Sequence, residues 1–234
     1  MAAPDDDLLS AHDAWARAVA GEIAADVATG LASPLVLLRD RLALAVDRID
    51  RHIAGTTGPT PYPWRSLQAL RQDLADAYLS TTSLARLATD LSTAVGALGG
   101  TTAAIEIGPQ VEAAVNLARH RLGGGVELLV DLGSTPPAQI VAGELALAVA
   151  QMIASCARSA AQVERATLSV RTRAEVDAGR WVVIAAVDNG GGDPDAATLT
   201  AALTRFAARH GGSFDGTSQA GIGSAYELRL PAAR

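Results

Sequence analysis

Val187-Asp-Asn-Gly-Gly-Gly-Asp-Pro194 is the stretch on which the fold turns. The apolar run Val182-Val-Ile-Ala-Ala-Val187 leads into it, and a short apolar run bounded by turn residues reads as a buried strand. An Asp, an Asn and three glycines then end that strand in a turn whose backbone can approach its neighbours closely. Taken alone, such a run is most often only a tight turn, so its meaning depends on the segments around it.

Working outward, the spacing predicts helices over 109–122, 143–163 and 196–210, and strands over 126–132, 166–172, 181–188 and 224–230. Gly123-Gly-Gly125 and Gly190-Gly-Gly192 mark turns, and Pro136-Pro137 marks a loop. Together these elements make an α/β sandwich. Upstream the texture is different. Ile23, Val27, Leu31, Leu35, Leu38, Leu42, Val46, Ile49 and Ile53 recur at three- and four-residue steps, which predicts one long helix over 5–54. Gly55-Thr-Thr-Gly-Pro-Thr-Pro-Tyr-Pro63 cannot continue it. Leu67, Leu70, Leu74, Tyr78, Leu84, Leu87, Leu91, Val95 and Leu98 then repeat the spacing up to Gly99-Gly100.

The fold class is therefore α+β, with two domains: residues 1–99, a long antiparallel helical hairpin, and residues 100–234, the α/β sandwich. A two-helix hairpin leaves much of its apolar stripe uncovered, and a four-helix bundle formed by homodimerisation is the simplest cover.

Composition excludes several function classes. Net charge is −6 and the chain has no lysine, which argues against a phosphate-tracking nucleic-acid surface. The single Cys156 forbids an internal disulfide and a cysteine-based zinc site, and four histidines leave little for metal ligation, so no metal held by protein ligands is expected. No run approaches the roughly 20 apolar residues of a membrane helix, and the N-terminus carries Asp5-Asp-Asp7 where a signal peptide would be basic, so a cytoplasmic protein with no membrane partner is expected.

Six stretches resemble parts of the core of the sensor histidine kinases. Val187–Pro194 reproduces the Asp-x-Gly-x-Gly box of ATPase domains of the kinase, gyrase and Hsp90 (GHKL, or Bergerat) type. Glu144–Arg158 resembles the helix of the kinase N-box, with Gln151 and Ser155 in place of two Asn residues. Ala208-Arg-His-Gly-Gly-Ser-Phe214 and Gly221-Ile-Gly-Ser-Ala-Tyr-Glu-Leu-Arg-Leu-Pro231 are similar to the family's ending, with Ser224 in place of a threonine. Ile23–Leu35 resembles the phosphoacceptor box on the first hairpin helix, with Pro34 and Leu35 matching. Ser83-Leu-Ala-Arg-Leu-Ala-Thr-Asp-Leu91 is a weaker likeness on the second helix.

The departures carry the functional reading. Thr29 stands where the phosphoacceptor His belongs and Gly30 where its Glu belongs, and an unactivated hydroxyl is a poor nucleophile toward a γ-phosphate. Ser155 is a shorter, weaker magnesium ligand than Asn. Between Asp195 and His210 the sequence reads as one helix, where the family has a lid and a second glycine box to cradle phosphates. The resemblance thus implies a pseudokinase with vestigial nucleotide-binding residues Ser155, Asp188, Gly190, Gly192 and Ser224, and no cofactor unless the degenerate site still takes ATP and Mg²⁺.

It implies a dimeric regulator of two-component signalling that binds a response-regulator receiver domain or a partner histidine kinase. Three alternatives stand beside it. A histidine phosphotransferase of the degenerate-kinase type would relay phosphate between receiver domains and would need His12 or His52. A phosphatase would use Ser33, one turn after Thr29, to orient water. A nucleotide sensor would use Asp188 and Gly192. His120 and His210 have ordinary structural explanations, at a helix end and in a turn.

Overall fold

The computed structural model describes residues 34–51, 63–95, 101–119, 122, 125–176 and 180–233, together with positions 14, 18 and 21. The chain separates into two compact units, one formed by Ala24–Thr89 and the other containing Asp90–Arg234. Among the described residues no helix is long and apolar enough to cross a membrane.

Helix α1, described over residues 34–51, lies in the first unit, as does helix α2, Pro63–Val95, up to Thr89. Proline suits the first position of α2, because its missing N–H is one that the first helical turn leaves unbonded anyway. The bend expected at Pro34, and most of the connection between the helices, involve residues outside those described. Arg41 pairs with Asp73 at 3.3 Å and with Asp76 at 3.7 Å, while Arg48 pairs with Asp73 at 2.5 Å. The later cation of α1 thus meets the earlier part of α2, so the helices run antiparallel. Asp73 is buried, as are the small Ala45 and Ala77. The seam is therefore narrow, made of alanines and ion pairs. Several large apolar residues lie elsewhere: Leu35, Leu42, Val46, Ile49, Leu67, Leu74 and Tyr78 are exposed, whereas Leu38, Leu70, Leu84, Leu87 and Leu91 are half-buried.

In the second unit, a five-stranded sheet has the order β2-β4-β5-β7-β6, built from β2 Val126–Leu132, β4 Ala166–Glu175, β5 Trp181–Asp188, β6 Ser213–Gln219 and β7 Gly223–Pro231. Only the β2–β4 pair is parallel. A separate antiparallel pair joins β1 Ala103–Ile105 to β3 Ala138–Ile140. Strands β1, β3 and β6 extend the sequence-based reading, which lacked them. Helices α3 Ile107–Arg119, α4 Ala142–Ala160 and α5 Ala196–Arg209 supply the second layer, with α4 packed on α3, α5 and the sheet.

Strand alternation sends Leu168, Val170, Ile184, Ala186, Leu228 and Leu230 toward these helices, where they meet Leu145, Leu147, Met152, Ile153, Leu203 and Phe206 in the core. The other face of the sheet is mixed, with Val183 and Val187 of β5 lying among polar and charged side chains of β4 and β7. There Arg173 and Glu175 of β4 pair with each other and, over the intervening β5, with Glu227 and Arg229 of β7, which also pair with each other. His210 sits in the turn after α5, its Nε2 at 3.1 Å from a Glu144 carboxylate oxygen, with both side chains buried.

Asp73→Ala should destabilise the helical unit by about 2 kcal/mol, the scale of lost charged hydrogen bonds whose cations can rehydrate. A lowered urea midpoint at unchanged slope would show this. An unchanged midpoint would mean that the Arg41 and Arg48 pairs contribute nothing.

Candidate functional site

Asp188 closes β5 and is 6% exposed. A carboxylate that deep in the fold must be hydrogen-bonded, because desolvating it unpaired would cost several kcal/mol. Its Oδ1 accepts the Ser159 hydroxyl at 2.5 Å and the Gly190 N–H at 2.7 Å, and its Oδ2 accepts the Ser224 N–H at 3.1 Å. Three elements therefore converge on one side chain: the end of α4, the glycine turn and the start of β7.

The glycine turn is clamped between α4 and the β6–β7 turn. Gly191 N–H donates to the Ser159 carbonyl at 2.9 Å and Gly192 N–H to the Ser159 hydroxyl at 2.9 Å. Gln162 Nε2 donates to the Gly192 carbonyl at 2.8 Å, and Gly221 N–H to the Gly191 carbonyl at 3.0 Å. Both sequence-predicted glycines have a steric reason. A Cβ on Gly190 would overlap the Ser159 carbonyl, and Gly192 has φ +88° with a would-be Cβ 2.8 Å from the Gln219 carbonyl oxygen. The backbone approach that such glycines permit is used here on the protein's own α4.

A second cluster lies one turn away. Ser155, fully buried on α4, donates to Asp193 Oδ2. Since the serine has only one proton, its contact with Tyr226 Oη at 2.7 Å has the tyrosine as donor. Arg158 Nη2 reaches the same Asp193 oxygen at 2.7 Å. Asp193 Oδ1 accepts the Asp195 N–H at 3.1 Å at the start of α5. Burial opposes ionisation of Asp193, but the Arg158 and Ser155 hydrogen bonds outweigh it and hold the carboxyl below its ordinary value of 3.8. Tyr226, stacked on Phe214 at 6.0 Å, has its phenol pushed up by burial. The Cys156 thiol is pushed well up by burial and then by the charge of Asp188, which makes it an inert core residue.

The structure thus brings Ser155, Asp188, Gly190, Gly192 and Ser224 into one region, divided between two linked clusters. Ser218 bridges them, donating or accepting a bond with the Ser224 hydroxyl at 2.9 Å and accepting the Asp193 N–H at 2.7 Å. Thr29 and Ser33 lie outside the described residues, as do His12, His52 and His120. The sequence reading missed Ser159, Asp193 and Tyr226. The i, i+4 pair Ser155 and Ser159 on a helix whose other polar side chains are only Glu144, Gln151 and Arg158 was the available signal.

The Asp188 carboxylate holds three donors, from α4, the glycine turn and β7. Ser155, at the metal-ligand position of the resemblance, donates to Asp193 and contacts Tyr226. Among the described residues no group of three or more His, Cys, Asp or Glu side chains is placed to hold a metal. A shallow cavity of about 220 Å³ is lined by Ala185, Val187, Asp215, Thr217, Ala225, Tyr226 and Glu227, mostly from the mixed face of the sheet. It does not open onto Asp188.

Ser159→Ala should cost about 2–3 kcal/mol, because it strips one donor from a buried carboxylate and orphans the Gly192 N–H. For Asp193 the depressed folded pKa contributes stability that is present above the unfolded value of 3.8 and is lost as pH falls through the folded one. The stability gap between wild type and Asp193→Asn should therefore be constant from about pH 7 to 5 and close below about 3.8. A gap that persists unchanged at pH 2–3 would contradict the ionised pair.

No protein-family model matches the chain, and no curated protein is significantly similar to it. Solved structures are. A histidine kinase from Burkholderia phymatum is 15% identical over 89% of this chain and 98% of its own, with a TM-score of 0.47. The Acinetobacter baumannii histidine kinase AdeS is 14% identical over 84% of this chain and 98% of its own, also at 0.47. The mycobacterial sensor histidine kinase MprB is 17% identical over 55% of this chain and 97% of its own, at 0.44. At these identities and scores the likeness is remote, and the named relatives are histidine kinases throughout.

Proposed function

We propose that this protein is a histidine-kinase-like regulator that acts by binding other proteins and not by nucleotide chemistry. The observation that carries the reading is the internal satisfaction of Asp188. The acceptor that such a domain would offer to adenine is occupied by Ser159, Gly190 and Ser224. Ser155 and Arg158 are likewise committed to Asp193.

The helical unit supplies the binding function. Its inner seam buries alanines and ion pairs, whereas Leu35, Leu42, Val46 and Ile49 on α1 and Leu67, Leu74 and Tyr78 on α2 are left to solvent. Exposed leucines at helical spacing favour burial against further helices. A second copy of the chain would complete a four-helix bundle, and the remaining hairpin surface would meet a receiver domain or a partner kinase. The degenerate position Thr29 fits a hairpin that docks a receiver without passing phosphate to it.

Sedimentation velocity of the purified chain should show a dimer, and Leu42→Glu with Ile49→Glu should weaken it by about 100-fold or more while leaving the helical circular dichroism intact. Incubation with Mg²⁺ and γ-labelled ATP should leave the chain unlabelled. A monomer at high micromolar concentration, or stable labelling of the protein, would overturn the proposal.

A further inference from the structure

On the sheet face turned away from α4 and α5, the register of β5, β7 and β6 sets side chains in two rows. Val187, Ala225 and Thr217 make one row, and Ala185, Glu227 and Asp215 the next. The two alanines stand among longer side chains, and the cavity of about 220 Å³ opens over them. Its floor is apolar and open to solvent, with Val187 44% exposed. The first row runs on through Ser169 to Leu129 of β2, which is equally exposed, so the apolar strip extends past the cavity.

The acidic border of the cavity is unevenly compensated. Asp215 and Glu227 stand directly opposite each other on β6 and β7, a placement in which like charges destabilise a sheet. Glu227 has its cations: Oε1 accepts the Arg229 Nε–H at 2.8 Å and Oε2 accepts Arg173 Nη2 at 2.9 Å. The exposed Asp215 side chain has no hydrogen bond or ion pair among the described residues. A lone surface carboxylate is ordinarily only hydrated. This one differs because it opposes a second carboxylate and borders an apolar hollow.

We propose that this hollow is a docking surface for a partner protein that inserts an arginine flanked by apolar residues, with Asp215 as the residue that selects the cation. The methylenes of such an arginine would lie along Ala185, Ala225 and Val187, and its guanidinium fork would meet Asp215 and the Thr217 hydroxyl. The added charge relieves the opposition between Asp215 and Glu227. Apolar neighbours of the arginine would cover Val187 and the strip toward Leu129. The surface belongs to the α/β unit and stands whether or not the helical hairpin dimerises.

The test is a nuclear magnetic resonance titration of the full chain with the capped peptide Leu-Arg-Leu, with capped Leu-Gln-Leu and free arginine as controls. Leu-Arg-Leu should move the signals of Val187, Thr217 and Ala225 and saturate in the millimolar range, whereas both controls should leave them in place at the same concentrations. Asp215→Asn should weaken the peptide about threefold or more. Ala225→Leu, which fills the hollow from an exposed position, should abolish binding. Thermal melting of the free protein gives an independent readout: relief of the opposed charges in Asp215→Asn should raise the melting temperature by about 1–3 °C. Signals unmoved by Leu-Arg-Leu, equal shifts with either control, or a lowered melting temperature in Asp215→Asn would each overturn the proposal.

Discussion

The constraint from which the rest of this structure follows is the burial of the Asp188 carboxylate. A nearly inaccessible anion at the end of a central strand is stable only if donors are brought to it, and no single element here supplies enough of them. The fold meets that demand by convergence. α4 must end beside β5 so that Ser159 can donate, the chain after β5 must turn sharply enough for Gly190 to fold back, and β7 must begin where Ser224 can complete the set. Ser159 does double duty, since its hydroxyl also receives Gly192 and its carbonyl receives Gly191. Gly190 is thus explained by proximity to α4, and Gly192 by its φ of +88° and the close approach of Gln219.

The second cluster follows from the first. Once the turn is pinned, Asp193 is carried to the start of α5, directly above Ser155 and Arg158 on the same face of α4 that holds Ser159. Both carboxylates are then committed to internal donors. The two clusters thus tie α4, the glycine turn, α5 and β7 together through hydrogen bonds internal to the fold.

Much of the architecture was legible because it rests on strong local signals. The apolar run into Asp188, the long apolar helix over α4 and the glycine turns located β5, α4 and the loops between them. β6 was missed for an identifiable reason. Ser-Phe-Asp-Gly-Thr-Ser-Gln contains one large apolar residue and lies at the sheet edge, where one face is open to solvent, so its alternation barely registers. The three-residue β1 and β3 carry too little pattern to detect. In the helical unit the leucine stripe was visible, but its direction was not. Part of the stripe, Leu35, Leu42, Leu67 and Leu74 among it, is exposed while Leu38, Leu70, Leu84, Leu87 and Leu91 are half-buried, a division that depends on which residues form ion pairs between α1 and α2. The site was legible only as far as its motifs extended: Asp188, its glycines and Ser224 were found, whereas Ser159, which donates to Asp188 from 29 positions away, and Tyr226, 71 positions from Ser155, were not. No local pattern in the Asp-Asn-Gly-Gly-Gly run reports that its acceptor is already taken.

The central claim, that Asp188 is closed to outside donors, is tested most directly by amide hydrogen exchange at Gly190, Gly192 and Ser224 with and without Mg²⁺ and a non-hydrolysable ATP analogue. The account predicts slow exchange at all three amides in the free protein and no change when the nucleotide is added. Fast exchange in the free protein, or new protection at these positions with nucleotide present, would mean that the carboxylate is available and that the protein is a nucleotide-binding one after all.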